Sequence, residues 1–78
     1  MSTVLRIGSY RFFFYVGDDN EPSHIHVGRD DDLAKFWLDP VRLVRAGGFR
    51  RAELRELERL VGQNEHTLLE AWRGFFDG

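Results

Sequence analysis

The hydrophobic and polar positions change period partway along the chain. Residues 3–7 and 10–16 are rich in β-branched and aromatic side chains and flank Gly8-Ser9, a pair suited to a two-residue type II′ turn, which predicts a β-hairpin. In that register Ile7 faces Tyr10, Leu5 faces Phe12 and Thr3 faces Phe14 on the core side, so Phe12 and Phe14 are expected to be more buried than Phe13. The other side pairs Val4 with Phe13 and Arg6 with Arg11. Two like charges directly opposite each other favour an anion or carboxylate between them. A polar stretch of turn formers at 17–23 leads into His24-Ile25-His26-Val27, which alternates as a short strand, and 28–32 reads as a second turn. Residues 33–38 complete a second hairpin, with Ala34, Phe36 and Leu38 on one face and Leu33, Lys35 and Trp37 on the other. Asp39-Pro40 ends that strand, and 41–45 fits either a last strand or one helical turn.

From Arg50 the period becomes helical. Leu54, Leu57 and Val61 recur at i, i+3 and i+7 with Leu60 beside them, and Gly62 is the expected stop. Asn64 can cap a second helix whose Leu68, Leu69, Trp72, Phe75 and Phe76 form an apolar stripe. Strands first and helices last predict an α+β fold: an antiparallel sheet of two N-terminal hairpins, with three to five strands in all, and two C-terminal helices packed on one face.

With 78 residues, the chain has room for one domain, taken as 1–78, and is too short for most large enzyme folds. It contains no cysteine, which removes disulfides, cysteine-based zinc sites and thiol nucleophiles and points to the cytoplasm. No apolar run reaches the roughly 20 residues of a membrane span, and the N-terminus lacks signal-peptide features, so no membrane association is expected. The net charge of −2 conceals a segregation, because the acidic stretch 17–39 lies between two basic ones. That excludes a nucleic-acid binder coated in positive charge; any such site is local. Ten of the eleven basic residues are arginine, the better fork for carboxylate and phosphate.

Strand alternation sends Arg6, Arg11, Phe13, Tyr15, His24, His26, Lys35 and Trp37 to the face away from the helices. Aromatic platforms beside arginines suit single-stranded nucleic acid, with Arg6, Arg11, Tyr15 and Trp37 as the anion- and base-binding candidates, and equally suit a protein partner. A catalytic version is a metal-independent ribonuclease that requires no cofactor. In it His24 and His26 act as general base and acid, and Lys35 stabilises the charged phosphorane. Residues i and i+2 on a strand also permit two imidazoles to share one metal ion. Completing such a site would take two more ligands from Asp18, Asp19, Asp30, Asp31, Asp32 or His66. A non-catalytic interaction domain is a further alternative. The bland reading of the pair is that of surface histidines on an edge strand. The arginines and glutamates of 50–59 read as ordinary i, i+4 pairs on a solvated helix.

Three segments carry a family resemblance: Val4-Leu5-Arg6-Ile7-Gly8-Ser9-Tyr10-Arg11-Phe12-Phe13-Phe14, Glu21-Pro22-Ser23-His24-Ile25-His26-Val27 and Ala34-Lys35-Phe36-Trp37-Leu38. With Phe49, Glu53-Leu54 and Leu69-Glu70-Ala71-Trp72, the chain resembles the bacterial domain-of-unknown-function family numbered 4160. The resemblance implies a small component of a toxin–antitoxin-like module with an antitoxin-like partner protein encoded nearby and RNA as a target; the sequence leaves a homo-oligomer open. It hands over no catalytic residue. Similar members often carry serine where Arg50 stands, forming a capping box with Glu53, so this chain lacks a cap there.

Overall fold

The structure, a computed structural model, describes residues 2–76. Five strands, β1 (Ser2–Ile7), β2 (Tyr10–Phe14), β3 (His24–Arg29), β4 (Asp32–Leu38) and β5 (Val41–Arg45), precede α1 (Arg51–Gln63) and α2 (Glu65–Phe76). The strands form one antiparallel meander in chain order, so the α+β expectation holds. The segment 41–45 resolves as a strand, and β3 lies at the centre of the sheet, where the bland reading had an edge.

The first hairpin turns at Gly8-Ser9, with Ile7 opposite Tyr10, Arg6 opposite Arg11 and Leu5 opposite Phe12. Gly8 sits at φ +58°, a region open to glycine and costly for other residues. Beyond Leu5 a bulge shifts the register, so Thr3 lies opposite Phe13 where alternation alone placed Phe14. The expected burial ranking of the three phenylalanines does not separate them: Phe12 and Phe14 are fully buried and Phe13 is 1% exposed. The faces still differ. Phe12 and Phe14 belong to the core between sheet and helices, whereas Phe13 is buried on the opposite side.

The core forms where the β2, β3 and β4 alternation meets the helical stripe. Ile25, Val27, Ala34, Phe36 and Leu38 pack against Leu57, Leu60, Val61 and Leu68, all buried, with Trp72 and Phe76 half-buried at the margin. Gly62 does not stop α1, which runs to Gln63. The helix break falls at Asn64, whose carbonyl accepts the Leu68 N–H at 2.9 Å and so opens α2. Its side chain turns the other way and donates to the Leu60 carbonyl at 2.8 Å, satisfying the end of α1.

Candidate functional site

The nine residues between β2 and β3 build the site. Gly17 at φ +95° reverses the chain, and a single 3₁₀ turn, Asp18–Asn20, follows. The Tyr15 N–H donates to Asp18 Oδ2 at 2.8 Å, and the Asp18 N–H donates back to the Tyr15 carbonyl at 3.2 Å. These bonds fold the loop back and aim the Asp18 carboxylate at the start of β3, on a face that is not clear of the helices as alternation alone suggests, because Trp72 of α2 reaches His24. Asp18 Oδ1 lies 3.3 Å from His24 Nε2, and Asp18 Oδ2 lies 3.3 Å from His26 Nε2. One ligand-type atom from each of the three residues falls within 4.8 Å of the others.

His24 and His26 share the face opposite Ile25 and Val27, as alternation requires. They are not outward surface groups, however. His24 is 1% exposed and His26 9%. Alternation decides which face a side chain takes and is silent on what covers that face; here the covering is the loop and a set of rings. Phe13 stacks on His26 at 5.6 Å, Tyr15 meets the same imidazole edge-on at 4.7 Å, and His24 lies 5.1 Å from Trp72 and 5.8 Å from Trp37.

The hydrogen bonds fix the chemistry of the imidazoles. His24 Nδ1 lies 2.9 Å from the Pro22 carbonyl oxygen. A carbonyl only accepts, so Nδ1 carries a proton and Nε2 is the ring nitrogen turned toward Asp18. Nε2 faces a carboxylate oxygen, a contact that is favourable with a proton on the ring nitrogen, as an ion pair, or with a metal ion between the two atoms. His26 Nε2 is buried and, despite its proximity to Asp18, is not in hydrogen-bond geometry with any of the described residues. Burial pushes the His26 pKa below its ordinary value, although the Asp18 carboxylate pulls the other way.

The other residues expected at the site are distributed around this centre. The Lys35 ammonium pairs with Glu21 on the same loop and sits 5.1 Å from the Trp37 ring centroid. Arg11 lies over the Phe13 ring at 4.8 Å, Arg6 is exposed on the outer strand β1, and Tyr15 is partly exposed. The expected open cationic patch is therefore a partly covered, partly neutralised surface, because the acidic loop supplies Asp18 and Glu21 to it. Sequence reasoning missed Arg45, which β5 places opposite Lys35. No signal in the chain could find that pairing while 41–45 stood between strand and helix. A cleft of about 350 Å³ opens beside the centre, walled by Tyr15, His26, Lys35 and Arg45, with Asp31 and Gly47 also at its margin.

No curated protein and no solved structure matches the chain significantly. The DUF4160 family model, described as a domain of unknown function, matches residues 9–73, a span that includes the Asp18, His24 and His26 cluster and runs from β2 into the last turn of α2, and the chain therefore belongs to that family.

Proposed function

We propose that this chain is a metal-binding domain in which Asp18, His24 and His26 hold one divalent transition-metal ion. The observation that carries the reading is the convergence on Asp18: the Pro22 carbonyl takes the His24 Nδ1 proton and aims Nε2 at the carboxylate at 3.3 Å, while the buried His26 Nε2 beside the same carboxylate makes no hydrogen bond among the described residues. Metal-bound histidines are oriented in this way, with the second ring nitrogen donating to a backbone carbonyl. The spacing fits as well. Ligands about 2.0–2.1 Å from a tetrahedral zinc ion stand roughly 3.3 Å apart; each histidine approaches its own oxygen of the Asp18 carboxylate at 3.3 Å, and one ligand atom from each of the three residues lies within 4.8 Å of the others. Two imidazoles and a carboxylate suit zinc or a neighbouring borderline metal better than calcium or magnesium, which prefer oxygen.

Access favours this reading over a metal-independent pair of catalytic histidines. An acid–base pair acting on RNA needs both imidazoles to reach one phosphate. His24 is 1% exposed, and its two ring nitrogens face the Pro22 carbonyl and Asp18.

The test is a zinc titration of chelator-treated protein, followed by calorimetry and thermal melting. One ion per chain is expected. Zinc at about a hundred times Kd should stabilise the fold by roughly 2.7 kcal/mol, and thus raise Tm by about 10 °C or more. Asp18→Asn and His26→Gln, substitutions that keep the local volume, should each weaken binding by at least about tenfold while remaining folded. Wild-type protein that takes up no zinc, cobalt or nickel would leave Asp18 and His24 as a buried ion pair and end the metal reading.

A further inference from the structure

Resting on the metal-binding reading above, we infer that the ion's open position takes a phosphoryl oxyanion entering through the cleft walled by Tyr15, His26, Lys35 and Arg45. Three protein ligands on a tetrahedral ion leave one position for water or a ligand, the arrangement of catalytic rather than structural zinc. The triad is covered on the His24 side. Its access lies at His26, the member that forms part of the cleft wall, and at Asp18, whose side chain is 13% exposed.

The charge across the cleft defines the occupant. Lys35 and Arg45 stand directly opposite each other on β4 and β5, an unfavourable pairing that an anion between them would relieve. Lys35 is already paired with Glu21, whereas Arg45 makes no ion pair among the described residues. Asp31 also lines the cleft and disfavours anions there, which makes the metal and Arg45 together necessary for binding. A tetrahedral phosphoryl group suits the two sites at once: one oxygen on the ion and two on the planar fork of the guanidinium. A planar carboxylate has only two oxygens to divide between them.

The experiment uses cobalt(II)-loaded full chain and inorganic phosphate as the probe. Phosphate should alter the visible d–d bands of the cobalt centre saturably, and chloride at matched ionic strength should not. Arg45→Gln, an exposed change, should leave one cobalt per chain and the melting profile intact while weakening the phosphate response about tenfold or more, the scale of one lost charge-assisted hydrogen bond. A cobalt site that ignores phosphate, or responds equally in wild type and Arg45→Gln, overturns the oxyanion inference and leaves the metal reading standing. Protein that takes up no cobalt refutes both.

Discussion

A single atom decides what Gly47 must be. Its carbonyl accepts the Leu33 N–H at 3.1 Å and so ties the loop after β5 to the start of β4. At φ +60°, a Cβ added there would stand 1.6 Å from the Leu33 carbonyl oxygen, a clash with backbone that no rotamer relieves. Gly47→Ala should therefore cost on the order of 3 kcal/mol or more, combining left-handed strain with displacement of β4. Urea denaturation measures it, and a midpoint equal to that of the parent would show that the loop moves away freely. The Gly47-Gly48 break was legible in the chain, but its reason was not, because the Leu33 oxygen is brought there by the sheet. Asp18 is a parallel case. It stood among several loop carboxylates as a candidate ligand, and only the Gly17 reversal and the Tyr15 N–H single it out.

At the scale of one element, the start of α1 is half built. Arg50 holds the N-cap position with extended backbone and makes no side-chain capping bond, while Glu53, three residues on, accepts from the Arg50 backbone N–H. That bond is one arm of a capping box; serine or threonine would supply the other. Arg50→Ser should raise stability by about 1 kcal/mol, read as a higher urea midpoint with an unchanged slope. No gain would mean that the free N–H groups of the first turn are already satisfied by solvent. This weakness could be read from residue type alone, since capping is local. The end of the same helix could not. Gly62 offered a stop, yet the helix continues through it because Val61 is buried and the Asn64 side chain donates to the Leu60 carbonyl, and tertiary burial outweighs the roughly 1 kcal/mol propensity cost of one glycine.

Across the whole molecule, a polar junction joins the sheet to α1. Arg29 on β3 pairs with Glu53, and the Tyr10 hydroxyl on β2 bridges them, donating to Glu53 and accepting from Arg29 at 3.3 Å each. Arg29 also lies over the rings of Tyr10 and Phe49. The Arg29 guanidinium, followed by the Tyr10 hydroxyl and the Arg50 N–H, holds the Glu53 carboxyl below the usual carboxylate range. A carboxyl with a lowered folded-state pKa binds fewer protons folded than unfolded. Its contribution is thus fully present above the ordinary value of about 4.3 and lost as pH falls through the lowered one. Thermal melting from pH 6 down to 2.5 should show Tm falling in that window, and Glu53→Gln should flatten the fall while starting from a lower Tm at pH 6. Equal acid slopes in both proteins would show that other carboxylates carry the acid transition.

The sequence by itself determined the order of the elements, the turn at Gly8-Ser9, the core faces of β3 and β4 and the apolar stripes of both helices. These follow from side-chain period, glycine and proline geometry and local capping, all of which act within a few residues. It also placed His24 and His26 together on one strand face. Tertiary structure alone decided the bulge that moves Thr3 opposite Phe13, the central position of β3, and the burial of both imidazoles beneath rings from other elements. It alone brought Asp18 to the histidines and Arg45 to Lys35. Contacts of that kind depend on where a loop folds back and which strands become neighbours, and the energy that selects them is shared among the Tyr15 N–H, the aromatic rings around His26 and the closing of the core on the opposite face.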